Sequence, residues 1–206
     1  MIEHGMLVVL AHTLKEYMQS GAYADNFDSK ELADIVVGHA AAAGLAAMAV
    51  GVLPGLGALI ASGIAVGAIW TMYVRIGKYL HLSLSKDFWK AIASAVATNI
   101  ITQLAGVLVL ELAVGFIPGA SIIAAGVVNF GITYVAGLIF LYALTEIFSC
   151  GGDLENMTHE EIKERFGNAA QSVNVSDAFS EAKDTFQQMR KDGSLEEWGK
   201  DIDIEG

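Results

Sequence analysis

The chain has 206 residues, of which 54% are hydrophobic and 17% are charged, and its net charge is −11. A soluble domain normally carries about 25% charged residues, so this sequence is unusually apolar. The acidic balance argues against a nucleic-acid partner, because binding a phosphate backbone needs a basic surface. With Cys150 as its single cysteine, the chain cannot form an internal disulfide.

The charges lie mainly at the two ends of the chain. Residues 35–150 hold three acidic and four basic side chains, whereas residues 151–206 hold fourteen acidic and six basic ones. We therefore divide the chain into an amphipathic N-terminal segment (1–34), a membrane domain (35–148) and an acidic cytoplasmic helical tail (149–206). The first segment has an apolar helical face over residues 6–20, which is too short to span a bilayer.

Four long apolar stretches fill the middle of the chain, over residues 35–53, 56–73, 91–117 and 120–144. Their length favours helices, since strands rarely exceed about ten residues. Each stretch approaches or exceeds the roughly 20 residues that a membrane-spanning helix needs. The sequence therefore predicts an all-α fold, with an integral membrane bundle of four hydrophobic helices.

The middle of the chain also contains an internal repeat. VGVLPG at 50–55 matches VGFIPG at 114–119, and both Pro-Gly pairs separate two apolar stretches. Proline ends or opens a helix, and glycine accepts the positive φ of a tight turn. The repeat predicts two helical hairpins, 35–80 and 91–148. The predicted turn residues are Pro54, Gly55, Pro118 and Gly119.

Basic residues indicate how the hairpins are oriented. They lie at the ends opposite the turns: Lys30, Arg75, Lys78, Lys86 and Lys90. The positive-inside rule then predicts a cell (inner) membrane protein with both termini in the cytoplasm. The uncharged turns leave two alternatives open, full spanning of the bilayer or partial insertion of each hairpin.

The acidic tail has two helix patterns of its own. Thr158 and Glu161 form a capping-box pattern at the start of the first helix. Ser176 or Asp177 is the predicted cap of the second, which the Asp192-Gly193 pair ends. The second helix carries one apolar stripe, which favours packing against the rest of the protein: Ala178, Phe179, Ala182, Phe186 and Met189.

Enzyme motifs are absent from the sequence. It has no G-x-x-x-x-G-K-[ST] phosphate loop, no H-E-x-x-H and no cysteine–histidine zinc set. We therefore predict no catalytic, cofactor-binding or metal-binding site.

Polar side chains within or near the apolar stretches form a candidate intramembrane polar site: Glu111, Asn129, Thr133, His39 and Gln103. An ionisable group at membrane depth is costly, which makes Glu111 a functional hypothesis. One interpretation is an ion or proton path along these residues. The other is interhelical hydrogen bonding, with Glu111 protonated or facing Asn129 or Thr133.

Small residues are dense in the apolar stretches, and they let helices approach closely. We predict helix packing at Gly63, Gly67 and Gly131, the last two of which correspond under the repeat. The same surfaces favour self-association into a homo-oligomer.

Two stretches carry a resemblance to a known family: VGVLPGLGALIASGIAVGAIWTMYVRIGKYLHLSLSK at 50–86 and VGFIPGASIIAAGVVNFGITYVAGLIFLYAL at 114–144. They resemble the YcjF-like bacterial membrane-hairpin family, whose hairpin domain is often attached to an Era-like GTPase domain. The resemblance implies a helical inner-membrane module of unknown activity. This sequence lacks the GTPase domain, so a nucleotide-driven role would need a separate partner.

Three functions fit the sequence. The leading hypothesis is a non-enzymatic membrane-embedded scaffold, anchoring or membrane-shaping protein that self-associates. The alternatives are an ion channel or transporter-like pore using the intramembrane polar residues, and a pore-forming toxin-like protein whose hydrophobic hairpins insert from a soluble state. The expected partners are the lipid bilayer, further copies of the chain and a cytoplasmic protein such as a GTPase.

Overall fold

The chain is all-helical over the residues that the computed structural model describes, namely 5–20, 27–50, 57–82, 84–105, 120–152, 154, 156–200 and 202–204. Within these ranges there are eight helices and no strand, which confirms the predicted all-α class. The helices are α1 (Gly5–Ser20), α2 (Ser29–Val50), α3 (Gly57–Tyr79), α4 (Lys86–Gln103), α5 (Ala120–Ser149), α6 (His159–Ser172), α7 (Val175–Asp192) and α8 (Ser194–Gly199).

The helices α2 and α3 lie side by side as an antiparallel pair. The Tyr79 hydroxyl, at the end of α3, accepts a hydrogen bond of 2.9 Å from the backbone N–H of Asp28, just before α2. The end of one helix therefore meets the start of the other, as the first predicted hairpin requires. Its predicted turn, Pro54 and Gly55, lies outside the described residues.

The second predicted hairpin is described in part. Among the described residues, the predicted helix over 91–117 is present only in its first part, as α4, which begins at Lys86 and ends at Gln103 with Leu104 as its C-cap. The return helix is α5, which has 30 residues and is about 45 Å long at 1.5 Å per residue. Glu111 and the turn residues Pro118 and Gly119 lie in the part of the chain that is not described.

The ends of the tail helices follow from local capping. The capping box of Thr158 and Glu161 is present at the start of α6, as predicted. The cap of α7 was predicted at Ser176 or Asp177, but it is Asn174, whose side-chain oxygen accepts from the Asp177 backbone N–H at 3.3 Å. Asparagine caps as well as aspartate or serine, and the earlier start places Val175 in the core. Gly193 ends α7 with a φ of 78°, as the Asp192-Gly193 pair predicts.

The helix α5 lies at the centre of the fold and contacts α1, α2, α3, α4, α6 and α7. Four buried aromatic rings join it to its neighbours: Tyr73, Trp89, Phe140 and Phe166. The Phe140 ring centroid lies 4.2 Å from that of Tyr73 and 5.3 Å from that of Phe166. The third helix and the acidic tail therefore share one core with α5.

Two helices among the described residues are long and apolar enough to cross a membrane, α2 and the Ile122–Ser149 portion of α5. The sequence predicts four such helices, so half of that prediction is supported by length and composition. In the most apolar stretch of α5, 83% of the residues are buried inside the protein, against 67% in α2. A central core helix and a membrane helix are both apolar on all sides, so α2 and α5 are candidate membrane spans by length and composition only.

Candidate functional site

The acidic tail packs lengthwise against the two span-length helices. We call α6, α7, α8 and residues 202–204 the C-terminal cover. The helices α6 and α7 lie on α5, and α8 lies on α2. The predicted stripe of α7 is buried in full, at Ala178, Phe179, Ala182, Phe186 and Met189. The cover thus removes apolar surface of α2 and α5 from the surroundings.

The outer surface of the C-terminal cover is strongly acidic. Its exposed carboxylates include Glu160, Glu161, Glu164, Asp177, Asp184, Asp192, Glu196 and Glu197. Carboxylates on this surface are stable in water and costly in hydrocarbon. The cover therefore presents to its surroundings the chemistry of a water-facing surface.

A carboxylate of the cover also reaches the middle of α5. Tyr134, which is fully buried at the midpoint of that helix, donates a hydrogen bond of 2.9 Å to Oε1 of Glu181 on α7. Because the two side chains are in contact, Glu181 lies at the same depth as Tyr134 in any membrane that α5 crosses together with α7. With α7 docked, a bilayer spanned by α5 would hold Glu181 near its centre.

The middle of α2 is covered by the end of the chain. A side-chain carbon placed on Gly38 would lie 3.5 Å from Cγ1 of Ile202. Leu45 lies farther along α2. A side-chain carbon placed on Gly199 of α8 would lie 2.7 Å from Cδ1 of Leu45, so the α8 backbone packs closely on α2. Both span-length helices are therefore covered near their midpoints by the same acidic segment.

The predicted polar residues lie in different parts of the fold. Asn129 and Thr133 are buried one turn apart on α5, and Asn129 donates to the Ala125 carbonyl at 3.0 Å. His39 is buried on α2, with Nδ1 2.8 Å from the Ile35 carbonyl. Gln103 is exposed at the end of α4 and donates to the Ala170 carbonyl at 3.1 Å. No hydrogen bond between described residues links these three locations.

Asn129 and Thr133 differ from the other buried polar groups. Asn129 Oδ1 and Thr133 Oγ1 are buried, and neither has a hydrogen-bond partner among the described residues. Such a group costs roughly 1–3 kcal/mol. Their position on the central helix makes them the polar pair of interest, and the predicted partner Glu111 lies outside the described residues.

The three predicted packing glycines have different surroundings. A side-chain carbon on Gly131 would overlap the Phe179 ring of α7. One on Gly67 would lie 2.8 Å from the Ile204 carbonyl oxygen, whereas one on Gly63 would meet nothing within 4 Å. Gly131 and Gly67 therefore serve docking of the C-terminal cover within this chain.

Sequence reasoning missed the attachment of the tail. The apolar stripe of α7 predicts a packing face but does not identify α5 as the surface that it packs on. Ile202 and Ile204 stand among acidic residues, and that alternation was the available signal for a segment with one buried side. Glu181, 47 residues after Tyr134, had no local signal at all.

Comparison with known proteins adds no relative: no family model, curated protein or solved structure matches the chain. Among the described residues, no group of three or more His, Cys, Asp or Glu side chains could hold a metal ion. The site is therefore defined by its own geometry, two apolar helices under an acidic cover.

Acid should loosen the C-terminal cover. Hydrogen bonds from the Thr158 backbone and hydroxyl lower the pKa of Glu161, and those from the Ser194 hydroxyl and backbone lower the pKa of Asp192. A carboxylate whose pKa is lower in the folded state stabilises that state above its unfolded pKa and loses this effect as the pH falls. We expect the melting temperature to fall as the pH drops below about 4.5, the ordinary pKa of a glutamate, and to fall less for Glu161→Gln. Equal pH dependence of the two proteins would contradict the assignment to Glu161.

Proposed function

We propose that the protein is a non-enzymatic, membrane-inserting helical protein that first keeps its two most apolar helices beneath its own C-terminal cover. In this function, release of the cover frees α2 and α5 to enter a bilayer. The observation that carries the proposal is the hydrogen bond between Tyr134 and Glu181 at the midpoint of α5. This function corresponds to a pore-forming toxin-like protein whose hydrophobic hairpins insert from a soluble state, and its outcome is permeabilisation of the membrane.

Electrostatics supports a covered state that precedes insertion. A charged side chain at the bilayer centre costs about 2.5–3.5 kcal/mol even on insertion scales that allow relaxation. The outward carboxylates of α6 and α7 would add to this cost if the cover accompanied α5 into lipid. Insertion of α5 is therefore favourable only after α7 has left it.

The small number of exposed hydrophobic side chains among the described residues also supports a covered state that precedes insertion. An embedded bundle needs an apolar band facing lipid on every side. The large hydrophobic side chains that are exposed among the described residues are Met6, Val8, Val9, Tyr17 and Ile123, four of them on α1. This surface fits a first contact of α1 with a membrane better than permanent embedding.

After release, the buried polar pair gains a role in the proposal. Asn129 Oδ1 and Thr133 Oγ1 lie one turn apart on α5, and neither has a hydrogen-bond partner among the described residues. Self-association of several inserted chains would turn these groups toward one another or toward water. The pore interpretation of the polar residues thus applies to the inserted oligomer.

A membrane scaffold or anchor is the second candidate, and one observation favours it. The helices α2 and α5 are packed as an antiparallel pair at close range, with a side-chain carbon on Gly126 lying 2.6 Å from Cγ of Met48. Such a pair could anchor the protein by two helices, with the start of α2 and the end of α5 on the same side of the membrane. In this function the chain stays in the inner membrane, with cytoplasmic termini and the GTPase partner that the YcjF-like resemblance implies.

Fractionation and vesicle binding test the proposal. The full chain is produced without detergent, and its mass and helicity are measured in water. It is then mixed with dye-loaded vesicles, and flotation and dye release are recorded. We expect a folded water-soluble protein that floats with vesicles and releases dye. A protein that needs detergent from the start would favour the scaffold, and one that stays soluble and never floats would refute insertion.

A further inference from the structure

A cleft of about 340 Å³ opens beside α2 and α3, next to the end of the chain. Three cations line it: Arg75 and Lys78 from α3, and Lys86 from the start of α4. Trp70, His39 and Asp203 of the C-terminal cover also line it. The cleft therefore combines positive charge, an aromatic face and one carboxylate of the chain itself.

This positive charge is concentrated in a protein whose net charge is −11. Residues 35–150 contain four basic side chains, and three of them line the cleft. The fourth, Lys90, stands over the Trp70 ring with Nζ 5.4 Å from its centroid. None of the three lining cations forms an ion pair with another described residue. Their mutual repulsion is therefore not offset by a described salt bridge.

Helix dipoles explain part of this arrangement. Lys78 lies in the last turn of α3, where a cation is stabilised by the negative end of the helix. Lys86 is the first residue of α4, where the same effect is unfavourable for a cation and favourable for an anion. Asp87 occupies the same first turn but does not line the cleft. An anion in the cleft would stabilise both Lys86 and the start of α4.

The interior wall offers a further polar group. His39 is 2% exposed, and its Nδ1 faces the Ile35 carbonyl at 2.8 Å. A carbonyl can only accept, so Nδ1 carries the proton and Nε2 remains as the second polar atom of the ring. In this tautomer Nε2 can only accept a hydrogen bond, so the cations are the donors that a ligand in the cleft meets.

We propose that this cleft binds a phosphate group, carried by a lipid headgroup or by a free phosphate ester. A phosphate presents several oxygens at once, which suits cations converging from two helices. Asp203 occupies part of the same cleft as an anion of the chain, so it competes with the ligand. The site is independent of whether the protein inserts into membranes.

Matched double variants test the site. Glycerol 3-phosphate binding is measured by calorimetry, and binding to phosphatidic acid–phosphatidylcholine vesicles is compared with binding to pure phosphatidylcholine. The combination Arg75→Gln with Lys78→Gln should weaken binding about tenfold or more. The control, Arg165→Gln with Lys163→Gln on the exposed face of α6, makes the same change in charge outside the cleft and should alter binding less than twofold. Asp203→Asn should strengthen binding severalfold.

The outcomes distinguish the source of the phosphate. Saturable binding of glycerol 3-phosphate, lost in the cleft variant, indicates that a free ester suffices. Binding only to the phosphatidic acid vesicles, with the same loss, indicates a lipid headgroup. Equal losses in the cleft and control variants would overturn the proposal, as would a wild-type protein that binds neither probe. Circular dichroism of each variant verifies that the fold is retained.

Discussion

Replacing Gly131 by leucine should undock α7 from α5 and move the protein from water to membranes. A side-chain carbon at this position already overlaps the Phe179 ring, and leucine adds three more carbon atoms. Overpacking of this kind costs about 1–3 kcal/mol. The hydrogen bond from Tyr134 to Glu181 lies one turn away on the same contact, so it should be lost together with the packing.

The measurements are the melting temperature, hydrogen exchange in residues 175–192 and the fraction of protein that floats with vesicles. We expect a lower melting temperature, faster exchange in α7 and several times more protein on vesicles. Gly167→Leu is the matched control, because a side-chain carbon there meets nothing within 4 Å. It makes the same substitution within a helix of the cover and gains the same helix propensity. Equal flotation of the two variants would show that α7 docking does not restrain membrane binding.

Local features of the sequence were sufficient to predict much of the helix content. Apolar length gave α2, α3 and α5, because such runs must form helices to satisfy their backbones away from water. Side-chain caps gave the starts of the tail helices, since a cap acts within three residues of itself. The capping box at Thr158 is confirmed. The cap of α7 is Asn174 and not Ser176 or Asp177, because asparagine caps a helix as strongly as they do.

The surroundings of the apolar helices could not be predicted in the same way. A helix that is apolar on every side fits a bilayer or the centre of a protein equally well, so hydropathy alone favoured four membrane helices. What the structure adds for α5 is a contact from Tyr134 to Glu181, across 47 residues of chain. A single sequence gives no information about such a pairing.

The repeat illustrates the same limit. Trp70 and Tyr134 correspond at the offset of 64 residues, and each donates a hydrogen bond from its ring to a following helix. Trp70 donates to the backbone carbonyl of Lys86 at 3.2 Å, next to the cationic cleft, whereas Tyr134 donates to an acidic side chain. The repeat predicts equivalent helices, and the segments that follow α3 and α5 give these two helices opposite electrostatic surroundings.

A disulfide between the middle of α2 and the end of the chain should prevent insertion, and reducing it should restore insertion. The variant combines Gly38→Cys with Ile202→Cys, and Cys150→Ser removes the exposed native thiol. A side-chain carbon on Gly38 lies 3.5 Å from Cγ1 of Ile202, which is compatible with the roughly 3.5–4.5 Å between Cβ atoms that a disulfide needs. Gly38 is near the midpoint of α2, so the bond fixes the end of the chain at the depth that α2 must carry into the bilayer.

The expected effect is large because the tether carries charge. Insertion of α2 in the oxidised protein would bring Lys200 and Asp203 toward the hydrocarbon, at about 2.5–3.5 kcal/mol for each charge that reaches its centre. Dye release should therefore fall at least tenfold after oxidation and return on addition of a reductant. Each single-cysteine variant, treated in the same way, controls for the reagents and for the substitutions. If the oxidised protein released dye as fast as the reduced one, α2 would not need to leave the C-terminal cover before insertion. That result would contradict the proposal that release of the cover precedes insertion.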